Sequence, residues 1–253
     1  MTIEAEDPWD FYFCELDNAR ASIWINLRYR DPGATPQPNA GTLYWLRIAM
    51  LDVGGHGMGT EAEAATLWPI EEEVARAARD SGVEYVARVR TSGRWEMTFY
   101  GRARQEGKLE ACVAALQLGG RGVEIGSRRD AKWERYRELL PDAERWQWMQ
   151  NRRLAEVLEE NGDDPEIPRR VDHWAYFPSK KQRSAFVKAV AAHGFKNDRT
   201  NAPEPDDTFG ARVFRTDRTE LESIHAAVML LWVVAKEHGG QYDGWETSVE
   251  KPS

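Results

Sequence analysis

Histidine and cysteine are the side chains best suited to catalysis and metal binding near neutral pH, and this chain has few of either. Its 253 residues include five histidines and two cysteines, Cys14 and Cys112. His173 and His225 fall on the core-facing sides of a predicted strand and a predicted helix, whereas a zinc site needs three or four converging ligands. Two cysteines cannot build a disulfide framework. The sequence therefore predicts no metal, no cofactor and no catalytic residue.

The glycine-rich stretch GGHGMG (Gly54–Gly59) invites comparison with a phosphate-binding loop, because it joins an apolar strand to a helix. It contains neither G-x-x-x-x-G-K-[ST] nor G-x-G-x-x-G, and it has no lysine. Thr60 and Glu63 instead form a T-x-x-E capping box, which is typical of a helix start. We therefore interpret the stretch as a flexible turn into the helix and favour this over nucleotide binding.

The chain has a net charge of −8, with 42% hydrophobic and 30% charged residues. This composition is typical of a soluble globular protein of one or two domains. A nucleic-acid binder usually carries a basic patch or stripe, and only short basic clusters occur here. The longest apolar run, Ala226–Ala235, is about half the length that spans a bilayer. We expect a cytoplasmic protein that binds neither nucleic acid directly nor a membrane.

The second half of the chain has a regular order of predicted elements. In the segment RVDHWAYFPS, alternation predicts a strand whose core-facing residues are Val171, His173, Ala175 and Phe177. A helix follows from Ser179, with Gln182 as its capping-box partner. Two strands, at 195–200 and 209–217, precede a long amphipathic helix that begins at Thr219 and ends at Gly239-Gly240. A last strand, YDGWETSVE, closes a β-α-β-β-α-β order, which is the ferredoxin-like plan.

The first half repeats this order of elements from Thr42 onwards, although not the residues themselves. We therefore predict an α+β protein of two domains, each with a split βαβ (ferredoxin-like) antiparallel sheet and helices on one face. The predicted division is a first domain at 1–130, a helical linker at 131–147 and a second domain at 148–253.

Aromatic side chains on the predicted strands of the second half are the strongest candidates for binding. Trp174 and Tyr176 alternate away from the core-facing set of their strand, and Tyr242, Asp243 and Trp245 occupy the last strand. Outward aromatic rings on outer strands can form the hot spot for a protein partner. They can equally pack against the other domain, because a two-domain chain buries surface where its domains meet. The sequence leaves both interpretations open.

The second half resembles the family of regulators of ribonuclease E activity of the B type (RraB). The segments that carry the resemblance are LEENGDDPE at 158–166, RVDHWAYFPS at 170–179, the helix ending AHGF, and AKEHGGQYDGWET at 235–247. The resemblance implies a ferredoxin-like domain that binds the endoribonuclease and inhibits it, with no chemistry of its own.

The first half resembles a family of unknown function, DUF695, whose domain is found ahead of such a module. This resemblance rests on WDFYFCELDNARASIWINL at 9–27, GGHGMGTEAEAATLWPIEEEV at 54–74 and TSGRWEMTFYG at 91–101. It implies a known pairing of two domains and no particular activity.

Together these features predict a non-enzymatic regulator with a protein partner, for which a ribonuclease E-type enzyme is the first candidate. An acidic protein could occupy the basic RNA-binding region of such an enzyme. One alternative is an immunity-type protein that neutralises a toxin. Another is a ligand-binding or enzymatic first domain, which a pocket with convergent polar groups beside Gly54–Gly59 would favour.

Overall fold

The computed structural model describes residues 8–31, 40–198 and 208–252. The chain divides into two compact units, the first at residues 1–142 and the second at residues 143–253. In the described part of the chain, no helix is long and apolar enough to cross a membrane.

The first unit contains one antiparallel sheet of six strands in the order β1-β2-β4-β5-β3-β6. The strands are β1 (Trp9–Leu16), β2 (Ala19–Asn26), β3 (Thr42–Ala49), β4 (Glu84–Thr91), β5 (Arg94–Gly101) and β6 (Val123–Arg129). The order of elements predicted from Thr42 onwards accounts for β3 to β6 of this sheet. The β1-β2 hairpin extends it by pairing with β4, which buries the apolar side chains of Ile23 and Ile25.

Two helices, α1 (Glu61–Asp80) and α2 (Glu106–Ala114), form the main core of this unit with the sheet. Half of the predicted capping box is present at the start of α1: the Thr60 side chain accepts a hydrogen bond from the backbone N–H of Glu63, whereas the backbone N–H of Thr60 donates to the Asp52 carbonyl and not to Glu63. The Glu63 carboxylate itself is buried and bonds to Arg121 with N–O distances of 3.1 and 3.0 Å. The helix start therefore also anchors the chain that leads into β6.

A third, short helix, α3 (Glu134–Glu138), lies against the opposite face of the same sheet. Trp133 stacks on Tyr100 with ring centroids 4.0 Å apart, and the Tyr136 hydroxyl donates to the carbonyl of Asn26. Tyr100 alternates with the core residue Phe99 and so points away from α1 and α2. The expectation of helices on one face only is therefore wrong for this unit. Part of the segment predicted as a linker, 131–147, is buried in the first unit.

The second unit has a four-stranded antiparallel sheet in the order β10-β7-β9-β8. Its strands are β7 (Arg169–Phe177), β8 (Lys196–Asp198), β9 (Phe209–Asp217) and β10 (Gln241–Thr247), and its helices are α4 (Ala143–Glu160), α5 (Lys180–Ala191) and α6 (Leu221–Glu237). The prediction of two antiparallel sheets with helices is thus confirmed. The last two residues of the strand predicted at 195–200 lie outside the described residues.

The core-facing alternation predicted for β7 is confirmed, because Val171, His173, Ala175 and Phe177 are all buried. Helix α5 begins at the predicted cap, where Ser179 accepts from the backbone N–H of Gln182. The apolar side of α6 packs on the same core through Ile224, Val228, Leu231 and Ala235. The other face of the sheet carries Trp174 and Tyr176. Among the described residues, no helix of the second unit covers this face.

The stretch HGGQYDGWETSV forms the end of α6 and a bulged strand. A side chain at Gly240 would place its Cβ 2.2 Å from Phe177, so only glycine fits this turn. Within β10 the pairing with β7 shifts between Tyr242 and Gly244, and the extra residue is Asp243. This bulge directs both Tyr242 and Trp245 to the helix-covered side.

Candidate protein-binding face

The open face of the second sheet carries four aromatic and basic side chains side by side. Trp174 and Tyr176 lie on β7, and Arg212 and Phe214 lie on the neighbouring β9. All four are partly exposed, whereas the alternate residues of both strands belong to the core. We call this set the aromatic face.

Arginine side chains hold the rings of the aromatic face in place. The guanidinium of Arg212 lies 5.1 Å from the centroid of the Trp174 ring, and that of Arg170 lies 3.8 Å from the Phe214 ring. Both distances are within the range of cation–π attraction. A surface of rings held between guanidinium groups loses little conformational entropy when a partner binds.

Asp172 links these arginines. Its Oδ1 accepts from Arg170 Nη2 at 2.7 Å and from Arg212 Nε at 3.0 Å, and its Oδ2 accepts from Arg170 Nε at 2.8 Å. Arg170 also contacts Asp198 at 2.5 Å. Burial raises the pKa of the Asp172 carboxyl, but the hydrogen bonds from the two arginines outweigh burial and lower it overall. The carboxylate therefore stays ionised at neutral pH and is fully occupied by its partners.

The structure separates the five residues that the sequence offers as a binding site. Trp174, Tyr176 and Asp243 reach the surface, and burial and the nearby Asp243 carboxylate raise the pKa of Tyr176. Tyr242 and Trp245 are only 5% and 8% exposed and lie in the core. The candidate site therefore retains the first three residues as its accessible part.

Sequence reasoning did not identify Arg212 and Phe214. A signal for them was present in the segment FGARVFRTD. Side chains alternate between the two faces of a strand, so Arg212 and Phe214 lie on one face and the apolar residues Ala211 and Val213 lie on the other. What the sequence could not give is the register that brings Arg212 beside Trp174.

The two inward histidines of the second unit have separate structural partners. His173 Nδ1 lies 2.9 Å from the Tyr242 hydroxyl, and burial lowers the pKa of His173 to about 3. His225 Nδ1 lies 3.0 Å from the Asn151 amide nitrogen, and the Asn151 oxygen accepts from the Trp245 indole at 3.0 Å. Burial also lowers the pKa of His225. Among the described residues, no group of three or more histidine, cysteine, aspartate or glutamate side chains could hold a metal ion.

The glycine-rich turn of the first unit is fixed by one arginine, which donates to two backbone carbonyls. Arg90 Nε lies 2.8 Å from the Met58 oxygen, and its Nη2 lies 3.4 Å from that of Gly59. A cavity of about 370 Å³ lies beside this turn, with Trp24 and Arg88 in its wall. Arg88 is already paired with Glu71, so the two arginines next to the turn are engaged by the protein itself.

Comparison with solved structures gives a protein described as an unknown protein from Galdieria sulphuraria. It is 14% identical to this chain over 83% of this chain and 99% of its own, with a TM-score of 0.23. Comparison with curated proteins gives no match.

Two family models match the chain, one in each unit. Residues 7–140 match a family of unknown function, DUF695, and residues 148–247 match the family described as regulator of ribonuclease activity B. Both matches confirm the resemblances seen in the sequence. Since the first match covers more than half of the chain, the chain belongs to the DUF695 family, and residues 148–247 of its second unit are similar to the regulator of ribonuclease activity B family.

Proposed function

We propose that this protein is a non-enzymatic regulator that binds a ribonuclease E-type endoribonuclease and slows its cleavage of RNA. The family of the second unit supports regulation of ribonuclease activity in general. The observation that carries the proposal further is the aromatic face, which offers partly exposed rings on a rigid sheet and, within the described part of the chain, has no helix of the second unit over it.

The aromatic face has the composition of a protein hot spot. Tryptophan, tyrosine and arginine are the residues whose removal most often weakens protein binding, and here Trp174, Tyr176 and Arg212 are neighbours. Asp243 stands exposed at the bulge beside them and adds a negative charge at the rim. We therefore assign Trp174, Tyr176 and Asp243 to the partner contact.

Charge supports a basic partner surface. The whole chain has a net charge of −8, which would speed its encounter with the RNA-binding region of a nuclease. The same charge gives little drive for binding RNA itself, because RNA affinity depends on neutralising phosphates with basic side chains. The regulator is thus expected to act on the enzyme and not on its substrate.

We also infer that the second unit has the ferredoxin-like plan. After α4, its elements follow the order β-α-β-β-α-β, and its last strand, β10, lies beside its first, β7. This plan accounts for a sheet with helices on one side and a free face on the other.

The test is a cleavage assay with a fluorescent RNA and the ribonuclease E-type enzyme of the same organism. Wild-type protein should slow cleavage, and Trp174→Ala should weaken binding to the enzyme by about 2 kcal/mol, or roughly thirtyfold. Val233→Ala is the control, because Val233 is an apolar residue that is 42% exposed on α6, the helix that packs on the other face of the same sheet. It should leave inhibition unchanged.

Two outcomes would count against the proposal. If folded wild-type protein at large excess leaves cleavage unchanged, the chain does not regulate this enzyme. If Val233→Ala weakens inhibition as strongly as Trp174→Ala, the aromatic face is not the contact surface.

A further inference from the structure

Rings, arginines and carboxylates occur together twice on the open side of the second sheet. Arg212 lies 5.1 Å from the centroid of the Trp174 ring. Arg170 lies 3.8 Å from that of the Phe214 ring. Asp172 accepts hydrogen bonds from both arginines. Each ring thus contacts a guanidinium that is bonded to a carboxylate, which suits arginine because its flat, weakly hydrated group can stack and donate hydrogen bonds at once.

The bulge in β10 places two consecutive residues on this side of the sheet. The pairing with β7 shifts between Tyr242 and Gly244, and Tyr242 and Trp245 both lie in the core. Asp243 and Gly244 therefore both belong to the open side, where Gly244 is the direct neighbour of Trp174. A Cβ built at Gly244 would meet no other heavy atom within 4 Å. Directly across from Trp174, β10 thus offers open space and no side chain.

Asp243 brings a carboxylate to the same point without an arginine to balance it. Its side chain is exposed and forms no ion pair with a described residue. Burial and the charge of this carboxylate raise the pKa of Tyr176, so the carboxylate is near enough to act on the phenol. The other acid of this strand, Glu246, already contacts Arg212 at 3.6 Å. A ring and a carboxylate therefore occur a third time, but none of the described arginines is bonded to this carboxylate.

We propose that the protein partner inserts an arginine side chain at Gly244, where its guanidinium stacks on Trp174 and bonds to the Asp243 carboxylate. This inference rests on the proposed function for the existence of a partner and adds the chemistry of the segment that is recognised. That segment is basic and contains arginine, in accord with the net charge of −8 of this chain. Lysine fits less well, because its ammonium group is compact and strongly hydrated and has no flat surface for stacking.

Charge also decides between a basic protein segment and a nucleic acid. A nucleotide base could stack on the same ring. Its phosphates, however, would meet the carboxylates of Asp243 and Glu246, and like charges repel. Proteins that bind single strands instead surround their stacking rings with basic side chains. An arginine of a protein partner therefore fits this point better than single-stranded RNA.

Three synthetic peptides test this chemistry with the full chain. Each is a short chain of glycine and serine in which the same positions hold arginine, lysine or citrulline, and citrulline has the shape of arginine without its charge. Binding is followed by peptide-observed NMR at low salt, because salt screens exposed charges. The arginine peptide should bind about fivefold or more tightly than the citrulline peptide, and more tightly than the lysine peptide. Equal binding of arginine and citrulline, or tighter binding of lysine or of a single-stranded RNA, would overturn the proposal.

Two substitutions that remove the same charge locate the site. Asp243→Asn should weaken binding of the arginine peptide by about fivefold, which is the size expected for an exposed ion pair. Glu237→Gln is the matched control, because Glu237 is exposed on α6, which packs on the other face of the sheet. It should leave binding unchanged. Equal weakening by the two variants would mean that only the net charge attracts the peptide, and the site would be wrong.

The contribution of the ring is tested with Trp174→Leu, which keeps an apolar side chain and removes the aromatic surface. Binding of the arginine peptide should weaken by about threefold through the loss of cation–π attraction, and binding of the citrulline peptide should change less. A melting curve of the variant confirms that it is folded. If the folded variant binds the arginine peptide as tightly as wild type, the guanidinium does not stack on Trp174.

The cleavage assay separates the failure of this inference from the failure of the proposed function. If the arginine peptide binds at Asp243 but the protein leaves cleavage unchanged, the ribonuclease E-type enzyme is the wrong partner and the arginine site stands. If the protein slows cleavage and Asp243→Asn inhibits as strongly as Glu237→Gln, the function stands and the arginine site is overturned.

Discussion

Lowering the pH from 7 to 5 is expected to destabilise the second unit, mainly through His173. This histidine is fully buried in the core, with its ring edge towards Phe195 at a centroid distance of 5.6 Å. Its Nδ1 meets the Tyr242 hydroxyl, and its Nε2 has no partner among the described residues. A proton on this ring would place an uncompensated charge in an apolar site. Burial, reinforced by the charge of Arg215, therefore lowers the pKa of His173 to about 3.

The size of the effect follows from the difference between the two states. In the unfolded chain a histidine has a pKa of about 6.5, so it takes up a proton as the pH falls below that value. The folded protein takes up that proton only near pH 3. Between these values the unfolded state binds more protons, and stability falls as the pH falls. At pH 5 the loss relative to pH 7 is about 2 kcal/mol.

Urea unfolding of the full chain at pH 7, 6 and 5, followed by tryptophan fluorescence, measures this loss. His173→Leu has no titrating group at this position and should lose about 2 kcal/mol less than wild type between pH 7 and pH 5. Tyr242→Phe is the control, because it removes only the hydroxyl and leaves the buried histidine, so its dependence on pH should persist. If wild type and His173→Leu show the same dependence on pH, the reasoning about this burial is wrong.

Three further predictions concern stability. Trp245→Ala should lower the free energy of unfolding, measured by urea titration, by about 3 to 5 kcal/mol, because it opens a cavity and leaves the Asn151 oxygen without its donor. A cost below about 1 kcal/mol would mean that the ring is not a core residue. Gly240→Ala should cost more than about 1 kcal/mol in the same assay, because its Cβ would meet Phe177, and an unchanged midpoint would contradict that close approach. A fragment of residues 143–253 should melt cooperatively in calorimetry, because it holds a complete sheet, its helices and their core; a fragment without a cooperative transition would show that the division lies elsewhere.

Local patterns in the sequence predicted the parts of the fold that depend on near neighbours. The alternation in β7 gives the correct buried set because strand geometry fixes it residue by residue. The caps at Thr60 and Ser179 are correct because a capping bond spans only three residues. The turn between β4 and β5 is local in the same way, because Ser92 and Gly93 both adopt positive φ angles.

Features that depend on distant parts of the chain were not available from the sequence. Simple alternation places Tyr242 and Trp245 on opposite faces, and only the bulge at Asp243 brings both rings inward. The hydrogen-bond chain from Trp245 through Asn151 to His225 joins residues that are far apart in sequence. For the same reason two of the binding candidates, Tyr242 and Trp245, are buried and not exposed as the sequence suggested. Trp174 and Tyr176 lie on the surface, as alternation predicts.

The strand order of the second sheet has a consequence for protein synthesis. β7 lies between β9 and β10, yet β10 is the last strand of the sheet to be translated. At the usual rates of translation, on the order of ten seconds pass between the emergence of β7 and that of its partner β10. The first unit ends at Asp142 and can fold during this interval. The nascent chain would then carry one finished domain and one unpaired strand edge next to Trp174, and such an edge is prone to aggregate.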